Sequence, residues 1–184
     1  MSIVSRLGLL SALIATSLPA TTLEQLSLDD MIAKSTGIVR AKVTSSRAEA
    51  RGASIYTFYR VEVSETWKGT AAQRMEVAVP GGVVRGVRQV VAGAPVLTPG
   101  EEYVLFLWTS RSGLSQVIGM SQGMFHVRLD AAGNPTVMRA ASTETMVDRS
   151  GRPVEDRPVS APVSELRARV GRALEAAQAL EVKQ

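Results

Sequence analysis

The chain has 184 residues, no cysteine, a single histidine and a formal net charge of +4. The absence of cysteine excludes disulfide bonds, thiolate nucleophiles and cysteine-ligated zinc, and one histidine excludes a multi-histidine metal site within one chain. A chain of this length can still bury a core that is large enough to fold without covalent cross-links.

The first segment of the chain has the pattern of a secretory signal peptide. Arg6 gives the n-region its charge, residues 7–18 are mostly apolar, and Pro19 and Ala20 follow. The apolar run is shorter than the roughly twenty residues that a membrane-spanning helix needs. We expect a signal peptide at residues 1–20 that is cleaved after Ala20, with Ser17 as the alternative, and a mature protein in the periplasm or outside the cell.

A short helix is predicted before the first long strand. Ser27 and Asp30 have the spacing of a capping box, and Gly37 suits the left-handed position that ends a helix. From there the apolar period becomes two, which predicts a strand over residues 38–44. Polar residues then predict a turn at residues 47–54.

Alternating or continuous apolar runs predict the remaining strands. The unbroken apolar run at residues 103–108 predicts a central strand that is covered on both faces. In the strand at residues 124–129 we expect Leu129 to point inward with its apolar neighbours, and His126 to be exposed and unpartnered. Other strands are predicted at residues 55–67, 75–79, 87–91, 116–120 and 136–139.

These patterns predict a mainly β fold, a small antiparallel OB-like β-barrel of five to seven strands, closed or partly open. With its leading helix the barrel domain should cover residues 21–142. A polar linker is predicted at residues 143–161, and an amphipathic helix at residues 162–182 has a single apolar stripe. We expect this helix to pack on the barrel of a monomer, and binding to a partner is the alternative.

One group of residues is predicted to form a ligand-binding surface. The odd positions of the second strand belong to the core, which places aromatic and basic side chains on its outward face. Aromatic rings with arginines on a small barrel can stack bases or sugars. The alternative is a minor core in which the helices cover the aromatic rings. The candidate residues are Tyr56, Phe58, Arg60, Arg85 and Arg88.

The segment Gly119-Met120-Ser121-Gln122-Gly123 matches the G-x-S-x-G pattern of serine hydrolases. That nucleophile elbow requires a strand before the serine and a helix after it, whereas the residues that follow here alternate like a strand. His126 lies five positions later, and no acid is marked to orient it. We therefore expect no catalytic, cofactor or metal site, unless carboxylates converge in a pocket. Such carboxylates would be Glu62, Glu65, Glu101 and Glu102.

The basic residues are concentrated in one part of the chain. Residues 34–88 hold ten basic and four acidic side chains, a local charge of +6. Such an excess can attract nucleic acid or another polyanion, although the same residues can form solvated strand faces. Nucleic acid is the less expected partner because no basic run exceeds two residues.

Several short motifs occur in a fixed order after the leader. They are Trp67-Lys68-Gly69, Pro80-Gly81-Gly82, Gly93-Ala94-Pro95, Pro99-Gly100-Glu101-Glu102 and the segment from Gly119 to Phe125. In this order the chain resembles a group of uncharacterised exported bacterial proteins. The resemblance implies an OB-type barrel akin to the netrin-like domain of metalloprotease inhibitors. Those inhibitors use an N-terminal cysteine, which this chain lacks, so no mechanism or site residue is implied.

The function that these observations favour is an exported, non-enzymatic binding or accessory module. We expect it to contact a protein or a polysaccharide through the strand face and the glycine-rich segment at residues 81–93. A polyanion-binding barrel is the alternative, and a hydrolase that uses Ser121 is the less favoured third possibility.

Overall fold

The computed structural model describes residues 22–181, so the predicted signal peptide lies outside the described residues. The described chain is mainly β, as predicted, with two α-helices and a short 3-10 helix, Met120–Gly123. The helices are α1 (Leu28–Lys34) and α2 (Val163–Glu181). The strands are β1 (Thr22–Glu24), β2 (Gly37–Arg51), β3 (Ser54–Lys68), β4 (Arg74–Pro80), β5 (Gly82–Val84), β6 (Val87–Gln89), β7 (Glu102–Thr109), β8 (Ser115–Val117), β9 (Met124–Leu129), β10 (Pro135–Arg139), β11 (Thr145–Val147), β12 (Pro153–Val154) and β13 (Val159–Pro162).

Helix α1 is fixed at both ends by side chains. The predicted capping box is confirmed, since the Asp30 amide donates to Ser27 Oγ at 3.0 Å and the Ser27 amide donates to Asp30 Oδ2 at 3.3 Å. At the other end Lys68 Nζ donates to the carbonyl oxygens of Ile32 and Ala33 at 2.6 and 3.1 Å. A cation at the helix C-terminus also interacts favourably with the helix dipole. The lysine of the Trp-Lys-Gly motif therefore attaches α1 to the end of β3.

Strand β7 is the centre of the main sheet. The strands follow the antiparallel order β13-β10-β9-β7-β2-β3-β4, and β8 pairs with the same edge of β7 as β9. Leu105 and Leu107 belong to one core, whereas Val104 and Phe106 belong to a second core under α1 and α2. The predicted central strand, covered on both faces, is thus confirmed.

The sheet curves without closing into a barrel. Val77 and Val79 of β4 share a core with Val117 of β8, yet no hydrogen-bonded ladder joins these two strands within residues 22–181. Strand β8 has only three residues, and Pro80 and Pro95 line the gap between the strands. Proline has no amide proton to donate, so it opposes ladder formation there. The closed form of the predicted barrel is therefore not found in the described part of the chain.

Two predictions about individual strands are wrong. The polar turn expected at residues 47–54 is mostly strand, because β2 and β3 run as a long ladder to a tight turn at Gly52, whose φ is +62°. The last residues of β2 are mostly exposed on both faces. Their sequence is therefore polar, without the alternation that indicates a strand, and resembles that of a loop. Leu129 is exposed rather than inward, because β9 ends there.

The segment that was predicted as a linker contains short strands. Strand β11 pairs in parallel with β1 and antiparallel with β12, and β13 pairs with β10. Strands of two to four residues are too short to show an alternating pattern in the sequence.

Helix α2 packs on the sheet through its first half. Val163, Leu166 and Val170 are buried in the core that also contains Met31 of α1, whereas Leu180 near the end is exposed. Neither helix among residues 22–181 is long and apolar enough to cross a membrane.

Candidate functional site

The predicted aromatic surface is occupied by the protein's own side chains. Phe58 is only 3% exposed, and the guanidinium carbons of Arg47 and Arg51 lie 4.8 and 4.6 Å from its ring centroid. Tyr56 adds a tilted ring contact at 6.3 Å between centroids. The ring is thus covered by arginines of β2 rather than by the helices, and its faces are in cation–π contacts instead of being free for a ligand.

Arg60 belongs to an ion-pair ladder on the same face. Its Nε lies 3.4 Å from Glu76 Oε1, which also accepts a hydrogen bond from Arg47 Nη1 at 2.7 Å. The hydrogen bond from Arg47 lowers the pKa of Glu76 below its ordinary value. Tyr56, Phe58 and Arg60 therefore form part of a closed cross-strand cluster.

Arg85 and Arg88 lie on a separate hairpin that is formed by β5 and β6. Gly82, at the base of this hairpin, approaches Thr57 and Ile55, which point to the opposite face of β3 from Phe58. The structure therefore does not bring the five predicted surface residues together. Alternation located the two faces correctly, but it could not show on which side the glycine-rich segment folds back.

A groove of about 860 Å³ continues the inner face of the sheet beyond Tyr103. Its floor is a cross-strand row in which Tyr103 of β7 is followed by His126, Met138 and Ser160 of β9, β10 and β13. Residues 93–98 and 140–144 contribute its walls. We call it the β9–β10 groove. Apolar side chains that line it and remain exposed are Val96, Met138 and Val159.

His126 is held in this groove by two contacts. Its Nε2 lies 2.6 Å from Glu101 Oε2, and its ring stacks on Tyr103 with centroids 4.9 Å apart and an interplanar angle of 19°. The hydrogen bond to His126 lowers the pKa of Glu101, and the nearby charge of Arg128 acts in the same direction. The expected unpartnered histidine is therefore wrong. Residues 25 positions apart become neighbours because β7 and β9 pair in this register.

Ser121 lines the same groove but lacks the surroundings of a nucleophile. It lies in the 3-10 helix between β8 and β9, so no α-helix follows it. The amides of Ser121 and of the next residue, Gln122, donate to the carbonyl oxygens of Gly93 and Gly119, and are not free to form an oxyanion hole. Within residues 22–181 no hydrogen bond joins Ser121 to His126. The geometry thus does not favour acyl transfer at this serine.

Gln122 has a structural role that the sequence patterns did not indicate. Its side chain is buried, Oε1 accepts from the Leu26 amide at 2.8 Å, and Nε2 donates to the Glu24 carbonyl oxygen at 3.0 Å. These bonds attach the segment before α1 to the 3-10 helix. The Gln-Gly pair of the Gly-x-x-Gln-Gly-x-Phe motif was the only signal available.

Replacing Gln122 with leucine should lower the free energy of unfolding by about 2 kcal/mol, because two partly buried backbone groups lose their partners. Gln116→Leu on β8 is the matched control. Its side chain makes no hydrogen bond within the described part of the chain, so a change below about 0.5 kcal/mol is expected. Urea unfolding of both variants measures the difference, and equal stabilities would contradict the role assigned to Gln122.

Half of the basic side chains between positions 34 and 88 are engaged in ion pairs, and four of the five glutamates that they bind belong to the same region. Of the ten basic residues between positions 34 and 88, five make ion pairs with glutamates, and Lys68 binds helix carbonyls. Among residues 22–181, Arg85 and Arg88 make no ion pair. The paired arginines are Arg40, Arg47, Arg51, Arg60 and Arg74.

The candidate carboxylates do not converge on one pocket. Arg40 binds Glu65 and Glu102 at 3.0 and 2.9 Å, whereas Glu101 binds His126 on the opposite face of the sheet. Glu62 pairs with Arg74 on β4. Across residues 22–181 no group of three or more histidine or acidic side chains is arranged to hold a metal ion. Comparison of the chain with protein-family models, with curated proteins and with solved structures finds no match.

Proposed function

We propose that the chain is an exported, non-enzymatic binding module that holds a segment of a partner protein in the β9–β10 groove. The observation that supports this most is the groove itself, about 860 Å³ in volume and lined by exposed apolar side chains next to the Glu101–His126 pair. Concave sites with apolar walls and a few fixed polar groups are the usual form of binding sites.

The chemistry of the groove favours a peptide over a polysaccharide. Its exposed apolar side chains, Val96, Met138 and Val159, are aliphatic, while Tyr103 is covered by the His126 ring. The described lining of this groove therefore offers no open aromatic face on which a sugar ring could stack. Strand β13 pairs only with β10 in the described chain, so its other edge can donate and accept main-chain hydrogen bonds.

Two further proposals concern the fold and the export of the protein. We infer a partly open, OB-like barrel, since β4 and β8 approach each other over a shared core. Export rests on the signal-peptide pattern of residues 1–20. The relationship to the exported bacterial group remains a proposal that rests on the ordered motifs.

Binding to a general polyanion is the weaker alternative. It would need a continuous set of free basic side chains, whereas most arginines of the basic region already face glutamates. Affinity for nucleic acid would also fall steeply with salt. We expect no tight nucleic-acid binding at physiological ionic strength.

Selection from a displayed random peptide library on the mature chain tests the proposed function. Met138→Arg places a charge in the groove and should lower the affinity for the selected peptides by about 10-fold or more. The peptide must then either bury the added charge or displace the arginine side chain. Arg74→Ala on β4 is the control, because this exposed residue lies outside the groove. Circular dichroism checks that both variants fold.

Peptides that bind Met138→Arg as tightly as the unmodified chain would overturn the assignment to the groove. Failure to select any peptide, together with binding on a glycan array, would favour the polysaccharide alternative instead.

A further inference from the structure

The hairpin formed by β5 and β6, which we call the valine hairpin (residues 82–90), is fixed at its base and open at its tip. Thr57 Oγ1 donates to the Gly81 carbonyl oxygen at 2.8 Å, and the Gly81 amide donates to the Ile55 carbonyl oxygen at 2.7 Å. The side chain of Gln89 accepts from the Ile55 amide. The hairpin is therefore a defined projection from β3 rather than a loose loop.

Its apolar side chains point into solvent. Val83, Val87 and Val90 are 52%, 64% and 80% exposed. Single exposed apolar residues are common, but clustered ones mark contact sites for proteins or membranes. Val83 lies opposite Arg88 in the ladder, and Val87 lies opposite Val84, so apolar groups occur on both faces of the ribbon.

The charge of the valine hairpin is uncompensated. Arg85 and Arg88 make no ion pair within residues 22–181, and the sequence contains no acidic residue between Glu76 and Glu101. The nearby arginine of the β2–β3 turn, Arg51, is in contrast paired with a glutamate. A binding partner that complements this charge would be anionic.

The backbone at the tip supports a role for the arginine there. Arg85 and Gly86 have φ values of +49° and +81°, as in a type I′ turn. Asparagine, aspartate or glycine adopts the first of these positions more readily than arginine does. Arg85 therefore occupies the tip of the turn in a backbone conformation that is unfavourable for arginine. Such strained conformations are typical of functional positions.

We propose that the valine hairpin docks on the surface of an anionic phospholipid bilayer, with the valines at the headgroup–acyl boundary and Arg85 and Arg88 at the phosphates. An acidic protein would need a slot that encloses both faces of a narrow ribbon, whereas a fluid bilayer surrounds both faces at once. Basic side chains near a charged bilayer each strengthen binding about 5-fold. This site is independent of the β9–β10 groove.

Co-sedimentation of the mature chain with vesicles tests the proposal. We expect binding to vesicles of phosphatidylglycerol and phosphatidylcholine, with less binding to pure phosphatidylcholine and at high salt. The double variant Arg85→Gln/Arg88→Gln should lower the partition coefficient about 25-fold. Arg111→Gln/Arg172→Gln removes the same charge at exposed positions outside the hairpin, and should have much less effect.

Insertion is tested separately with Val87→Trp, whose added fluorescence should shift to the blue on phosphatidylglycerol vesicles. If both double variants lost vesicle binding equally, the net charge of the protein would explain the binding, and the proposal would be overturned. An unshifted tryptophan spectrum, or absence of binding at every phosphatidylglycerol content, would overturn it as well. Capture of an acidic protein that depends on Arg85 and Arg88, without vesicle binding, would assign the hairpin to a protein partner instead.

Discussion

Replacing Asp156 with alanine should lower the free energy of unfolding by about 3–5 kcal/mol, because it leaves a buried guanidinium unpaired. Asp156 and Arg139 are 4% and 13% exposed, and their two hydrogen bonds measure 2.7 and 2.9 Å. The Asp156 carboxylate also accepts from the Ser142 amide at 2.7 Å. The pair joins β10 to the segment that forms one wall of the β9–β10 groove.

The same pair should make stability depend on acid pH. Arg139 lowers the pKa of Asp156 from 3.8 to about 2, chiefly through its hydrogen bonds to the carboxylate and also through its positive charge. A depressed pKa in the folded state gives stability that is present above the unfolded pKa and is lost as pH falls from about 4 towards 2. The contribution is about 2.5 kcal/mol. Urea unfolding between pH 6 and pH 2 should show a smaller decrease for Asp156→Ala than for the unmodified chain.

The double variant Arg139→Met/Asp156→Leu separates the pair's net contribution from the penalty of an orphaned charge. Apolar replacement of both partners is often close to neutral, so we expect a loss of about 1–2 kcal/mol, mostly from the Ser142 amide. If the double variant were as unstable as Asp156→Ala, the unpaired arginine would not be the cause.

Gly69→Ala is expected to cost about 3 kcal/mol or more. Gly69 has a φ of +86°, a conformation that costs other residues about 1–2 kcal/mol. An added Cβ would also lie 2.6 Å from the backbone oxygen of Thr36, which cannot move without displacing the start of β2. The last residue of the Trp-Lys-Gly motif is thus needed for the junction between α1, β2 and β3.

Gly52→Ala is the matched control for this prediction. Gly52 also has a positive φ, but an added Cβ would meet nothing within 4 Å, so only the conformational cost of about 1 kcal/mol is expected. Thermal or urea unfolding compares the two variants. Similar losses would show that the close approach to Thr36 does not matter.

Local signals in the sequence were sufficient for much of the fold. The capping box of α1 depends on two residues that are three positions apart, and the central position of β7 follows from an unbroken apolar run. Both are determined by short-range geometry and by burial. The closed barrel was not determined in this way, because closure depends on whether two distant edges form hydrogen bonds.

The candidate site was much harder to predict for the same reason. The Glu101–His126 contact depends on the register of β7 with β9, and the groove depends on where residues 93–98 and 140–144 fold. Alternation assigned Phe58 to the outer face, but it could not show that arginines of a neighbouring strand cover the ring. Such information lies in pairings between distant residues.

The two strand edges that face each other across the gap between β4 and β8 have a consequence for solubility. Bare edges are the places where copies of a β protein join into aggregates. Here each edge is shielded by the other, and Pro80, the last residue of β4, has no amide proton to donate to an incoming strand. The opposite margin, β13, is only four residues long and ends at Pro162, so it can pair with a short peptide segment but not with a long strand of another copy. The open sheet should therefore resist polymerisation although it is not sealed.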